Sequence, residues 1–428
     1  MRFIPSTDEE AWRGLPPATR GGGRPLPSWA RILASRLPRS TAALLQLDHA
    51  QRTLGPLDPG LRAAMRRVAA RANRCAYAES AATADAIRAG LDPDRLAAAD
   101  REGDPGWAEA ERRALDFARK MTIDSASVTD AVFASLVADF GANRAAAMVL
   151  LLAHANFQDR LLLALGAPPE SDGPLPPLDV AFDPAAFASR TTPPPARAPS
   201  RARLAEAPAW RGEADYQRLQ SRLEAQRRRP TRLEVPAWED VAANLPEGPL
   251  RRPSDIVWYR ICFGYAPELA VPFETFMRTA GEEAGPGWDR IFAQGLFWVT
   301  TQAVDCPYCM GHCEMNWEVA GLAPAEIAER SQLLAGDDWS GFPPAERRAF
   351  AFARKLATAP WSVDDEDVAG LEAGFGPGGA LLVILNASRH HYMTRISNGF
   401  QLQLERENVF HDYYSAGHRT ESERDDAR

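Results

Sequence analysis

Glu111-Arg-Arg-Ala-Leu-Asp-Phe-Ala-Arg-Lys120 recurs later in the chain as Glu346-Arg-Arg-Ala-Phe-Ala-Phe-Ala-Arg-Lys355. The two segments contain the only lysines of the sequence, whose other basic residues are arginine. The match continues without a gap to Phe140-Gly141 and Phe375-Gly376, and an apolar helical pattern follows each of these pairs. Self-similarity on this scale indicates a duplicated structural unit.

The rest of the sequence carries helical patterns. Runs rich in Ala and Leu have apolar residues three and four positions apart, and Gly-Leu-Asp-Pro or Gly-Leu-Ala-Pro turns interrupt them. No alternating strand of useful length is visible. We therefore predict an all-α fold of two tandem helical-bundle repeats, with Ser127 and Ser362 as N-caps of matching helices.

Composition shifts predict the domain boundaries. The stretch between the repeats is rich in Pro and Arg, which is typical of an irregular linker, and only Asp215 to Arg229 within it has a helical pattern. The predicted segments are an irregular N-terminus (1–26), the first repeat (27–166), the linker (167–252), the second repeat (253–410) and a polar tail (411–428).

Composition also narrows the class of protein. The 428 residues are 45% hydrophobic, as in globular proteins, and the net charge of −8 argues against a nucleic-acid partner. Met1 to Arg13 lacks the apolar core of a signal peptide, which favours the cytoplasm. Polar residues interrupt the most apolar stretch, Ala145 to Leu165, so we expect a buried helix there and no membrane span.

The densest cluster of reactive side chains is Asp305-Cys306-Pro307-Tyr308-Cys309-Met310-Gly311-His312-Cys313-Glu314, with three of the five cysteines. If the proline opens a helix, Cys306 lies at the N-cap and Cys309 in the first turn. The positive end of a helix favours a thiolate, which is the reactive form of cysteine. We predict a redox dithiol at Cys306 and Cys309, with Cys313 on the same helix face as an alternative resolving thiol.

The cluster has two alternative interpretations. Cys306, Cys309, His312 and Cys313 have the donor atoms that zinc prefers, but four ligands within eight residues of one helix surround a tetrahedral ion poorly. Alternatively, these side chains pack a helix and the protein is an inactive scaffold.

The first repeat lacks most of the cysteine motif of the second. Cys75 aligns with the first cysteine of the pair, but Ala78 replaces the second, and Ala81 and Ala82 stand where the second repeat has its histidine and third cysteine. A lone thiol forms no intramolecular disulfide. We therefore expect the first repeat to be a scaffold or a dimer-like partner for the second.

An all-helical unit with a CxxC that opens a helix, a Gly-Leu turn after it and a following Ala-Phe-Ala-Arg-Lys helix resembles the carboxymuconolactone decarboxylase and alkylhydroperoxidase D superfamily. The resemblance covers roughly Pro27 to Gly166 and Pro253 to Glu407. It implies a thiol-dependent peroxide or disulfide oxidoreductase, with Cys306 and Cys309 as the two cysteines. It also implies a hydroperoxide or disulfide substrate, a cellular thiol as electron donor, no cofactor and a homo-oligomeric assembly.

The sequence departs from the family's peroxidase pattern at the proton relay. That pattern has a glutamate twelve residues before the first cysteine and a histidine four residues after the second. Gln294 and Cys313 occupy these positions here, and His312 lies one residue early. Gln294 cannot take up a proton, so we expect a carboxylate base from elsewhere, with Glu314 and Glu318 as candidates, or none.

A further histidine candidate lies on the helix that would cover the site in this fold. Adjacent histidines cannot both face one site, and of His390 and His391 we select His391 as the candidate, with a hydrogen bond in the core as the alternative.

Overall fold

A computed structural model describes residues 3–19, 23–101, 103–182, 213–285, 288–336 and 338–411. Helices form the secondary structure, and the described ranges contain no strand, which confirms the predicted all-α fold. Residues 183–212 of the predicted linker and 412–428 of the predicted tail lie outside the described residues.

The helices fall into two halves with a linker between them. The first half contains α1 (Asp8–Gly14), α2 (Ser28–Leu33), α3 (Pro38–Thr53), α4 (Pro59–Ala72), α5 (Ala76–Arg88), α6 (Pro93–Ala98), α7 (Glu109–Ile123), α8 (Asp130–Phe140) and α9 (Ala142–Leu165). The linker contains α10 (Glu213–Arg228) and α11 (Trp238–Ala243). The second half contains α12 (Val257–Tyr265), α13 (Pro267–Ala284), α14 (Arg290–Ala303), α15 (Pro307–Val319), α16 (Pro324–Ala335), α17 (Pro344–Thr358) and α18 (Asp365–Phe400).

Both halves have the same backbone irregularities at matching points of the sequence. Positive φ angles occur at three matching points. The residue before each N-cap cysteine has one, at Arg74 (55°) and Asp305 (52°). Further pairs are Gly141 (81°) and Gly376 (70°), where the long apolar helical segment begins, and Gly166 (60°) and Gln401 (52°), where it ends. Gly376 lies inside α18, whose two parts thus correspond to α8 and α9. These pairs support a duplication, which we propose as the organisation of the chain.

The helices after the 3-10 turns begin later than the sequence analysis predicted. Thr129 caps α8 by accepting the Val132 N–H at 3.3 Å, and Asp364 caps α18. The prediction of Ser127 and Ser362 as N-caps was wrong by two residues. Each serine hydroxyl instead donates to the carbonyl three residues earlier, at 2.8 and 2.7 Å, and so closes a short 3-10 turn.

The halves pack through equivalent helices, with α9 against α18 and α3 against α13. Two buried arginines cross the α9–α18 contact in opposite directions. Arg160 Nη2 donates to the Ala357 carbonyl at 3.4 Å, and Arg395 Nη2 donates to the Thr122 carbonyl at 3.1 Å. A reciprocal contact of this kind is what a symmetric dimer interface shows.

The linker packs against the second half. The helix predicted over Asp215 to Arg229 is α10, and it lies against α15 and α16. Gln220 Nε2 donates to Glu314 Oε1 at 3.2 Å, and Gln226 Nε2 donates to the Leu402 carbonyl at 2.6 Å. The helical part of the linker therefore covers the helix that carries the cysteine motif.

Within the described residues, two helices, α9 and α18, are long and apolar enough to cross a membrane by length and composition. Of the most apolar 18-residue stretch of each helix, 94% is buried inside the protein in α9 and 39% is buried in α18. Their mutual packing is consistent with the buried helix predicted for Ala145 to Leu165, since core helices of globular proteins have the same composition.

We expect Gly399→Ala to lower the free energy of unfolding by about 1–3 kcal/mol, because overpacking forces neighbouring side chains to move. A Cβ at Gly399 on α18 would lie 2.8 Å from Val149 Cγ1 and 3.0 Å from Met121 Cε in the first half. Denaturant unfolding followed by circular dichroism measures the change. Gly281→Ala is the control, since a Cβ there meets nothing within 4 Å, and it should keep or raise stability. Equal stability of both variants would contradict close packing of the halves.

Candidate functional site

The chain between α14 and α15 brings two sulfurs together. Asp305 adopts a left-handed φ of 52°, and the Cys306 N–H donates to the Thr301 carbonyl at 2.9 Å, which turns the chain sharply. Pro307 is the first residue of α15, so Cys306 is its N-cap. Cys306 Sγ and Cys309 Sγ lie 2.8 Å apart, and both side chains are buried. The structure therefore places the two predicted dithiol residues in direct contact.

Ser397 on α18 faces the second cysteine. Its Oγ lies 3.2 Å from Cys309 Sγ and donates to the Met393 carbonyl at 2.8 Å. A hydroxyl has one proton, so while Ser397 donates to Met393 it can only accept from Cys309. Burial raises the pKa of Cys309 well above its ordinary value, and the neighbouring Cys306 raises it further. Cys309 is therefore held as a thiol.

The other three thiols have no hydrogen bond to a sulfur, although Cys313 lies near enough to the pair for its charge to act on Cys309. Cys313 lies one turn further along α15, and burial raises its pKa well above the ordinary value. Burial also raises the pKa values of Cys75 and Cys262. In the described part of the chain no second pair of sulfurs lies within hydrogen-bonding distance. Only Cys306 and Cys309 are thus arranged to form a disulfide without a large backbone movement.

His312 binds a carboxylate that the sequence analysis did not identify. His312 Nε2 lies 2.7 Å from Glu405 Oε2, and Tyr308 Oη donates to Glu405 Oε1 at 2.9 Å. The Val257 N–H also donates to Oε1, at 2.8 Å. Burial raises the pKa of Glu405, but the charge and hydrogen bond of His312 outweigh burial and lower it overall. The predicted relay histidine is therefore held by Glu405.

A signal for Glu405 was present in the sequence. In the register that aligns the two lysines, Glu405 corresponds to Glu170 of the first half. Glu170 accepts hydrogen bonds from the Tyr77 hydroxyl and, at 2.9 Å, from the Ser28 N–H. Both halves therefore hold a tyrosine and a backbone N–H against a glutamate that follows the last helix, and only the second half adds a histidine.

Of the other predicted candidates for the proton relay, the two glutamates are engaged elsewhere. Gln294 is half-buried on α14. Glu314 accepts hydrogen bonds from Gln220 and Ser331, both at 3.2 Å, and burial raises its pKa. Glu318 accepts from Asn408 Nδ2 at 2.7 Å. Neither carboxylate has a hydrogen bond to the cysteine pair.

His391 lies at the contact between the halves. Its Nδ1 lies 3.3 Å from Arg395 Nη1, and its Nε2 has no hydrogen-bond partner. Burial and the charges of Arg160 and Arg395 hold the pKa of His391 well below its ordinary value, so the imidazole is neutral. Burial lowers the pKa of Arg395 to about 10, against the opposing charge effect of Cys306. Arg395 thus places a positive charge near the sulfurs, and His391 contacts that arginine.

The donors named for the metal alternative do not converge. Over the described ranges, no three or more His, Cys, Asp and Glu side chains are grouped so that they could hold a metal ion. The physical reason is visible in His312, whose ring nitrogen is committed to Glu405. The geometry gives the metal-binding alternative no support.

The fold and the site define an all-helical bundle protein with a buried pair of cysteines at a helix N-terminus. Residues 38–120 match the model of the carboxymuconolactone decarboxylase family, which supports the resemblance of the first half to that superfamily. The matched segment runs from α3 into α7 of the first half, which lacks the second cysteine. No curated protein matches the chain.

Glu405→Gln is expected to lower the free energy of unfolding at pH 7 by about 1–3 kcal/mol, because a buried charged hydrogen bond is lost. The pKa of Glu405 is below its ordinary value of 4.5 in the folded protein. Its contribution is therefore present above pH 4.5 and is lost as the pH falls through the folded pKa.

The difference between wild type and Glu405→Gln should consequently narrow at acid pH, which urea unfolding at neutral pH and at about pH 3.5 measures. The exposed Glu407 supplies the control, Glu407→Gln, for which we expect no such difference. A gap that stays constant with pH would contradict the ion pair.

Proposed function

We propose that the second half is a thiol-dependent oxidoreductase in which Cys306 and Cys309 cycle between dithiol and disulfide while a hydroperoxide or a disulfide is reduced. The observation that carries the proposal is the 2.8 Å separation of the two sulfurs at the N-terminus of α15. A dithiol in contact loses little conformational freedom when it closes to a disulfide.

Cys306 is the attacking sulfur in this proposal. It lies at the N-cap of α15, where the unpaired N–H groups and the helix dipole favour a thiolate. The positive charge of Arg395 lies near this sulfur. Cys309, held protonated beside Ser397, is the resolving thiol.

The reaction with a hydroperoxide needs only the two cysteines and one external reductant. The Cys306 thiolate attacks the outer peroxide oxygen, an S–O bond forms as the O–O bond breaks, and the alkoxide leaves as an alcohol after it takes up a proton. Cys309 then attacks Cys306 sulfur, and its proton leaves with the hydroxyl group as water. A cellular dithiol reduces the Cys306–Cys309 disulfide. With a disulfide substrate, a mixed disulfide replaces the sulfenic acid.

Both sulfurs are buried, with 0% and 2% of their residues' surface exposed, so a substrate reaches them only through a local opening. Shielding of this kind favours small or extended oxidants over bulky ones. It also protects a sulfenic acid from further oxidation until Cys309 resolves it.

The cellular setting follows from the thiols. All five cysteines are free, and we place the protein in the cytoplasm, where thiol systems keep such pairs reduced. The first half, with Cys75 and no second cysteine, serves in this proposal as the covalent partner of the second.

The test is thiol mapping by mass spectrometry after reduced protein meets one equivalent of hydrogen peroxide or of the small linear disulfide 2-hydroxyethyl disulfide. Wild type should lose two thiols, those of Cys306 and Cys309. Cys309→Ala should stop at a sulfenic acid on Cys306 that dimedone traps, and Cys306→Ala should lower the rate of oxidant consumption by at least about 100-fold.

Cys262→Ala removes a buried thiol outside the motif and is the matched control, which should behave as wild type. Thiols that stay reduced with both oxidants would contradict the proposal and favour an inactive scaffold. The same conclusion would follow if Cys262→Ala and Cys306→Ala had equal effects.

A further inference from the structure

The first half contains a charged cavity of about 360 Å³. Side chains of α3, α4, α5 and α9 line it, and Pro177 of the segment after α9 completes the wall. All of its lining residues belong to the first half or to this segment, so the cavity is separate from the cysteine pair. Its size is within the range of small-molecule sites.

Four arginines line the cavity, and three of them form ion pairs: Arg52 with Asp48 and Asp85, Arg88 with Asp85, and Arg66 with Asp159. Arg62 forms none with any described residue. Its Nη1 donates to the Leu54 carbonyl at 2.8 Å, and only 8% of the residue is exposed. Burial lowers the pKa of Arg62 despite the charges of Asp85 and Asp58. The cavity thus contains a buried cation without an ion-pair partner.

Other polar groups around the cavity also lack partners. Arg66 Nη1 and Gln51 Oε1 are buried and have no hydrogen-bond partner. The ring nitrogens of His154 are also buried without one, although Nε2 lies 3.9 Å from Asp48 Oδ1. Buried polar atoms without partners are rare in native proteins, and a bound ligand is one explanation for several of them around one cavity. Burial lowers the pKa of His154, so its ring is neutral and offers one donor and one acceptor.

The charges favour a monoanion. The other three arginines form ion pairs with Asp48, Asp85 and Asp159, whereas the exposed Asp58 acts on Arg62 only from beyond ion-pair distance, so Arg62 is the arginine left without an ion pair. A carboxylate supplies one negative charge, and a guanidinium binds it through two parallel hydrogen bonds. Much of the remaining wall is apolar, from Pro59, Ala63, Ala89, Leu151 and Pro177.

We propose that this cavity binds a small organic carboxylate. The acid group lies against Arg62 and Arg66, which are one turn apart on α4, and the apolar part lies against Ala63 and Leu151. The site is particular to the first half, because the register that aligns the two N-cap cysteines puts Ala293 and Phe297 in place of the two arginines. The half without a dithiol is thus the half with a ligand site.

Isothermal titration calorimetry on the full chain tests the proposal with acetate, benzoate, phenylacetate and cinnamate, each paired with its neutral amide, and with inorganic phosphate. At least one acid should bind with one site per chain and at least about tenfold tighter than its amide, since an ion pair is worth that factor in a partly buried site. Arg62→Gln should weaken this binding at least about tenfold.

Two further variants complete the design. Ala63→Leu fills the cavity without altering a charge and should also abolish binding, so the test survives if one variant folds poorly. Arg95→Gln removes a half-exposed arginine that pairs with Glu111 away from the cavity, and it should bind the acid as wild type does. Cys309→Ala should also bind normally, since this site does not depend on the dithiol.

The proposal would be overturned if no acid of the set bound, or if acids and their amides bound equally. It would also be overturned if Arg62→Gln and Arg95→Gln weakened binding to the same extent. Phosphate binding that is tighter than that of every acid would assign the cavity to an inorganic anion instead.

Discussion

The packing of α9 against α18 is the contact on which the rest of the structure depends. Arg160 and Arg395 cross it in opposite directions and each ends on a backbone carbonyl of the other half. Two buried guanidinium groups repel each other, and burial together with the charge of Arg395 lowers the pKa of Arg160 well below its ordinary value. The large apolar surface of both helices has to offset that cost. Because α18 is fixed in this way, it holds Ser397 against Cys309 and Arg395 near Cys306.

The two halves share several structural features but differ in their candidate functional residues. Left-handed backbone, an N-cap cysteine and a glutamate that accepts from a tyrosine recur in both. The second half adds Cys309 and His312 where the first has alanines, while the first half adds Arg62 where the second has Ala293. A covalently linked pair can diverge in this manner because the packing residues are kept while the cavity-lining residues change.

The local features of the site could be predicted from the sequence. Pro307 at the first position of α15 fixes Cys306 at the N-cap, and helical spacing alone places Cys309 within reach. The N-caps were wrongly predicted at Ser127 and Ser362 because a serine hydroxyl can either cap a helix or close a 3-10 turn. The spacing of residues in the sequence does not distinguish these two roles.

The long-range contacts could not be predicted in the same way. Glu405 lies 93 residues from His312, and the single sequence reveals it only through the register of the duplication. Helix packing decides which way these side chains and helices face. It turns His312 toward Glu405 and His391 toward Arg395, and it places α10 over α15. The cavity around Arg62 likewise needs four helices to be in place.

We propose that Cys306 and Cys309 form one redox unit, and an equilibrium redox titration of the full chain is the test of this proposal. Protein is equilibrated in buffers of reduced and oxidised dithiothreitol or glutathione, quenched with acid, alkylated under denaturing conditions and mapped by mass spectrometry. We expect both thiols to disappear together in a single two-electron transition, while Cys75, Cys262 and Cys313 are alkylated throughout. A pair that remains alkylated at every potential, or a transition that consumes Cys313 in place of one member, would contradict it.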